Sequence, residues 1–258
     1  DYDLIIYSAE HQFPPLPNLQ PITLPLMRVD EAQVAAAADE WQTRFADLPR
    51  PLTAFLVGGP TGPFLFNAET AHRLKAIIRR VIEETGGTAY ITTSRRTPPA
   101  VVEALQADLP ASARLYTWGT DAGENPYRAL LGLADGFVVT GDSISMMVEV
   151  VRLRKPLAIL GLPVGALGAI DQLRRSLTRW LFAPQTRSLR DRLRQAAGRA
   201  LYRLRILTHT RDFVAFHDML VARGLAVHAG EPLRPPGGEV PDDLAIAVQR
   251  IVALVENP

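Results

Sequence analysis

The chain has 258 residues, 47% hydrophobic and 21% charged, an ordinary globular composition for one large or two small domains. It has no cysteine, which excludes disulfides, thiolate zinc sites and a cysteine nucleophile and fits a reducing compartment. No apolar run reaches the roughly 18 residues that a membrane span needs. The net charge of +1 conceals an asymmetry: residues 166–210 hold ten arginines and two aspartates, a balance of +8, so the remainder carries −7.

The opening residues, DYDLIIYSAEH, read as a buried strand already under way, which predicts a longer protein with residues before Asp1. A proline-rich crossing, FPPLPNLQPITLPL, follows, and residues 30–48 read as a helix or helical linker. From residue 52 strands and helices alternate. TAFLVGG is a strand, and NAETAHRLKAIIRRVIEETGG is a helix stopped by Gly86-Gly87. TAYITTS is a strand, and PPAVVEALQADL is a helix opened by Pro98-Pro99. ARLYTWG, NPYRALLGLA, GFVVTG, SISMMVEVVRLR and KPLAILGLP continue as strand, helix, strand, helix and strand. Five strands alternating with helices predict an α/β fold with a doubly wound parallel sheet. Residues 211–228 and DDLAIAVQRIVALV read as two further helices around a proline-glycine loop.

In an open parallel sheet, ligands bind beyond the carboxyl ends of the strands. The residues there are Gly58-Gly59-Pro60-Thr61, then Thr92 to Thr97, then Trp118-Gly119-Thr120-Asp121, then Thr140-Gly141-Asp142-Ser143. Glycines let a ligand approach the backbone, helix N-termini offer N–H groups to phosphate, and Arg95 and Arg96 add bidentate charge. Each signal has a plainer alternative: a tight turn, a solvated arginine pair, or N-caps at Asp142 and Ser143. GGPTG is neither GxGxxG nor a P-loop.

Glu149 lies about two turns into the helix after Asp142, among Met146, Met147, Val148 and Val150. It is read either as a partner of Arg152 or Arg154 at the helix rim, or as an acceptor for the two vicinal hydroxyls of a nucleotide ribose.

A strand, a small polar turn, a helix carrying this glutamate and Pro156 seven residues after it resemble the nucleotide-sugar domain of GT-B glycosyltransferases. GGPTGPF, TTSRRTPP, GENPYRALLGLAD, VTGDSISMMVE and FHDMLVARGLAVHAGEPLRPP resemble the family of mitochondrial fission factors first named in plants. The resemblance covers residues 52–160 well and 211–258 moderately. It implies a Rossmann-like, GT-B C-terminal-type domain over 49–258, with an arginine-rich helical insertion at about 166–210. Residues 1–48 would be the end of an amino-terminal Rossmann-like domain and a linker. Two departures stand out: Val148 occupies a position where such helices often carry Ser, and the arginine-rich stretch is longer than that pattern. By the same resemblance, Gly58, Gly59 and Thr61 face a diphosphate or donor sugar. Thr93, Ser94, Arg95 and Arg96 stabilise the leaving diphosphate without a metal. Asn125 and Tyr127 lie near the base or the cleft. Asp142, Ser143 and Ser145 line the phosphate end, and Glu149 the ribose. Glu10 and His11 are the candidates for catalytic base, against the alternative that His11 is an ordinary loop histidine.

In the arginine-rich segment, Leu173, Leu177, Trp180 and Leu181, and then Leu189, Leu193, Ala197, Ala200, Leu204 and Leu207, recur at helical steps with arginines on the other faces. The two readings are a hairpin lying on an anionic membrane surface, or a helix pair packed on the domain with a solvated basic face. Nucleic acid is excluded as a partner for want of aromatic platforms. The expected function is a metal-independent glycosyltransferase or nucleotide-sugar-binding protein needing no cofactor, with the nucleotide sugar as substrate. The alternative is a non-catalytic adaptor that recruits a protein partner to a membrane. A composition rich in Ala, Leu, Arg and Pro points to a bacterial source. The expected location is cytoplasmic, with peripheral contact at the inner membrane face where the arginine-rich segment meets lipid.

Overall fold

In a computed structural model, residues 2–14, 16–119, 124–182, 188–204 and 210–256 are described. Three short strands come first, β1 (Ile5–Ser8), β2 (His11–Gln12) and β3 (Leu19–Ile22), then helix α1 (Glu31–Phe45). The expected alternation follows as β4 (Leu52–Val57), α2 (Ala68–Thr85), β5 (Thr88–Thr93), α3 (Pro99–Gln106), β6 (Ala113–Tyr116), α4 (Tyr127–Leu133), β7 (Gly136–Thr140), α5 (Ile144–Arg152) and β8 (Leu157–Leu160). Then come α6 (Ala166–Phe182), α7 (Leu189–Arg203), β9 (Thr210–Arg211), α8 (Phe213–Ala222), β10 (Val227–His228) and α9 (Asp243–Glu256).

Contacts divide the chain into two units, residues 27–165 with 217–240, and residues 1–26 with 166–216 and 241–258. This differs from the expected division at residue 48. α1 groups with the large sheet because it packs along α4, where a Cβ on Gly132 would lie 2.8 Å from the Ala38 methyl. The arginine-rich helices and α9 group instead with the first strands.

The first of these units holds the sheet. β4 is buried along its whole length, as are β7 and β8, so none of the three has a polar face to offer water. All six strands are parallel, in the order β10-β8-β7-β4-β5-β6. The chain leaves β4 toward β5 and β6, then returns to the other side of β4 for β7 and β8. The switch point therefore lies between β4 and β7. β10 was not legible as a strand, because two residues carry no period. On α2, Asn67 caps the first turn by accepting from the Glu69 amide, Leu74 and Ile78 are buried, and Gly86 ends the helix at φ 67°.

In the other unit β1 and β3 pair in parallel and β2 pairs antiparallel with β9. Pro21 sits in β3 although it has no N–H, as an edge strand allows. α9 is anchored by its first residue. The buried Asp243 carboxylate accepts from the Thr23 amide at 2.6 Å and the Leu24 amide at 2.8 Å. Buried Asp212 joins three more pieces, accepting from Gln12 Nε2 at 2.7 Å, the Arg179 guanidinium at 2.5 Å and the Ala215 amide at 3.0 Å. Among the described residues no helix is long and apolar enough to cross a membrane.

Candidate functional site

The turns after β4, β5 and β7 are knitted together. The Gly58 amide donates to Thr140 Oγ1 at 2.8 Å, and the Gly59 amide donates to Asp142 Oδ2 at 2.8 Å. The Asp142 side chain is fully buried, and the Arg96 guanidinium approaches Oδ2 at 3.6 Å. Burial pushes the Asp142 carboxyl above the usual carboxylate range, against the opposing pull of Thr140, the Gly59 amide and Arg96. A Cβ at Gly58 would stand 2.0 Å from Asp142 Oδ2, and one at Gly59 would stand 2.4 Å from the Arg96 carbonyl oxygen. The two glycines thus permit three turns to close on one another. Their amides, expected to face a diphosphate, are already donating within the protein.

Arg96 serves the same closure, donating to Thr61 Oγ1 at 3.0 Å and to the Pro60 carbonyl at 3.4 Å. Thr97, which sequence reasoning did not single out, donates to the Gly58 carbonyl at 2.6 Å and accepts from the Ser94 amide at 2.9 Å. Ser94 Oγ in turn accepts from the Arg96 amide at 3.2 Å. Thr93 joins β5 to β6: its Oγ1 accepts from the Trp118 amide at 2.9 Å. Thr61, Thr93, Ser94 and Arg96 are therefore built into the loop framework.

Beside this framework lies a cavity of about 200 Å³, lined by residues 92–95, Trp118, Asn125, Tyr127 and Met146. Arg95 is exposed at its edge, and Trp118 is 44% exposed. Asn125 is a helix-start residue, its Oδ1 accepting from the Tyr127 amide at 3.0 Å. The Tyr127 hydroxyl donates to Glu149 Oε2. Burial, and then the Glu149 charge and hydrogen bond, hold the Tyr127 phenol well above its ordinary range, so it remains a donor at neutral pH. Glu149 is half-buried between Val148 and Val150, turned toward α4. Met146 brings the first turn of α5 to the cavity. Ser143 opens that helix with no side-chain cap bond and is itself buried, while Ser145 is exposed. Met146 is the third residue of this nine-residue helix, so the cavity lies by the helix's first turn. Thr120 and Asp121 lie outside the described residues.

Thus Ser94, Arg95, Asn125 and Tyr127 line one cavity with Trp118, and Glu149 is joined to them through the Tyr127 hydroxyl. Trp118 is among the residues that the sequence places at this edge, after the third strand, although no role was assigned to it there. Gly58, Gly59, Thr61 and Asp142 form the neighbouring framework. Glu10 and His11 belong to the other unit. Glu10 is buried, with Oε1 3.7 Å from His11 Nε2 and no hydrogen bond to Oε2 among the described residues. His11 is part of β2, opposite Arg211. Among the described residues no group of three or more His, Asp or Glu could hold a metal ion.

Two relatives align with the chain. One is the mitochondrial fission protein ELM1 of Arabidopsis thaliana, 32% identical over 57% of this chain and 34% of that protein. The other is an uncharacterized protein of Rickettsia prowazekii (strain Madrid E), 30% identical over 59% of this chain and 43% of that protein. The chain thus spans less than half the length of either. Among solved structures, ADP-heptose heptosyltransferase II of Escherichia coli matches 56% of this chain and 41% of its own, with 19% identity and a TM-score of 0.38. A UGT2 of Phytolacca americana, complexed with UDP-2-fluoro-glucose and pterostilbene, matches 93% of this chain and 47% of its own, with 13% identity and a TM-score of 0.34. The profile of the family described as mitochondrial fission ELM1 matches residues 1–202, and the chain belongs to that family.

Proposed function

We propose that the cavity beside β5, β6 and α5 binds the nucleotide of a nucleotide sugar, and that the protein is a metal-independent GT-B-type glycosyltransferase. The observation that carries the reading is a cavity lined by Arg95, Trp118 and Tyr127, the last of which donates its hydroxyl to Glu149. Each part suits a piece of a nucleotide. A carboxylate accepts from two vicinal ribose hydroxyls, an exposed indole offers a base its face, and a guanidinium with a helix N-terminus takes phosphate charge. The same guanidinium would stabilise a departing diphosphate. Glu10, the candidate that the family resemblance supplies, is the proposed proton acceptor. Titration calorimetry with UDP, GDP and ADP tests the binding claim. One of them should bind, and Glu149→Ala should weaken it at least tenfold, about 1.4 kcal/mol. Absence of binding to all three and to their sugar conjugates refutes the reading.

A second reading is a non-catalytic adaptor that brings a protein partner to a membrane, the alternative that the family resemblance offers beside a relative named as a fission protein. A nucleotide that binds but is never turned over, whatever the sugar and acceptor, favours it.

A further inference from the structure

The arginine-rich helices are turned opposite to the way an ordinary packed pair would be. In α7, Leu189, Leu193, Ala197, Ala200 and Leu204 form one stripe with its C-cap residue, and every one is exposed. The leucines among them are 71%, 63% and 69% exposed. The inward face is polar or small instead. Gln195 is 1% exposed, and a Cβ on Gly198 would stand 3.0 Å from the Phe182 ring of α6. α6 shows the same habit: Ile170, Leu173, Leu177 and Trp180 are exposed, whereas Thr178 and Leu181 are buried. Exposed arginines border the α7 stripe. At about 100° per residue, Arg190 lies on one edge, and Arg192 and Arg203 on the other.

We propose that the exposed apolar stripe of α7, with the exposed apolar residues of α6, docks on the surface of an anionic lipid bilayer. An apolar centre between cationic borders matches the layering of such a surface. Leucines and a tryptophan reach the acyl boundary while guanidinium groups stay at the phosphates. The charge of the segment, +8 over residues 166–210 against −7 elsewhere, favours approach by this face. It disfavours a second copy, which would set two arginine-bordered faces against each other. It also disfavours nucleic acid, for which the exposed centre is aliphatic rather than stacking.

Vesicle co-sedimentation of the protein tests this. It should pellet with vesicles containing equal parts phosphatidylglycerol and phosphatidylcholine, stay in solution with phosphatidylcholine alone, and be released by high salt. The double variant Leu177→Glu and Leu193→Glu replaces exposed side chains. It should keep the wild-type circular dichroism, melting temperature and gel-filtration volume while losing at least about tenfold in vesicle binding. In a Trp41→Phe, Trp118→Phe background, the remaining Trp180 emission should shift to the blue on anionic vesicles. Failure of the wild type to pellet with anionic vesicles overturns the proposal, as does equal binding by the double variant. A wild-type dimer that the double variant converts to monomer would assign the face to a second copy instead.

Discussion

Asp142 carries the clearest conflict at the scale of single residues. Its carboxyl is buried against an amide, a hydroxyl and a half-exposed arginine, and burial wins, holding its pKa above the ordinary value. A group that binds its proton more tightly when folded makes stability fall as pH rises from the unfolded pKa through the folded one. Asp142→Asn keeps an acceptor for the Gly59 amide and removes the titration. Urea midpoints should therefore favour the variant progressively more as pH rises from about 4 to neutrality. A wild-type-minus-variant difference independent of pH would show that the carboxyl titrates normally. Gly58→Ala meets the same carboxylate at 2.0 Å and should cost about 2–4 kcal/mol by forcing the turns apart. The hydroxyl of Tyr127 is removed more gently. Tyr127→Phe loses one charge-assisted hydrogen bond and leaves Glu149 less firmly aimed, so nucleotide affinity should fall about threefold to tenfold. Unchanged affinity would mean that Tyr127 and Glu149 serve packing alone.

The helices and strands show what patterning can and cannot reveal. β4, β7 and β8 were legible because strands buried on both faces are written as uninterrupted apolar runs. β2, β9 and β10 were not, since two residues hold no periodicity. The stripe of α7 was legible as a stripe, but its direction was not: periodicity groups side chains on one face without saying whether protein or solvent lies against it. The loops at the candidate site show the same limit. GGPTG and TTSRRTP marked the right edge of the sheet, yet that Gly58 and Gly59 donate to Thr140 and Asp142 depends on pairs about 80 residues apart. α9 supplies the test at this scale. Asp243→Ala would orphan the Thr23 and Leu24 amides and should destabilise by about 2–4 kcal/mol in urea, whereas Asp243→Asn, which keeps one acceptor, should cost roughly half as much.

For the whole molecule, the division into units separates two chemistries that one activity assay would blend. The candidate nucleotide cavity draws every lining residue from the unit of the six-stranded sheet, while Glu10 belongs to the unit of β1 and β3. Residues 1–26 join residues 166–216 and 241–258 there because Asp212 and Asp243 carry hydrogen bonds across more than 190 residues of sequence, a grouping invisible to any local pattern. If Glu10 takes the acceptor's proton, Glu10→Gln should leave nucleotide affinity within about twofold of wild type while transfer falls at least a hundredfold, about 2.7 kcal/mol of barrier. Glu149→Ala should do the reverse in kind, raising the donor KM with the weaker binding. Measured side by side by calorimetry and by release of nucleoside diphosphate, the two variants distinguish the readings. A transferase loses turnover in Glu10→Gln with binding intact, whereas an adaptor shows no turnover to lose in either variant or in the wild type.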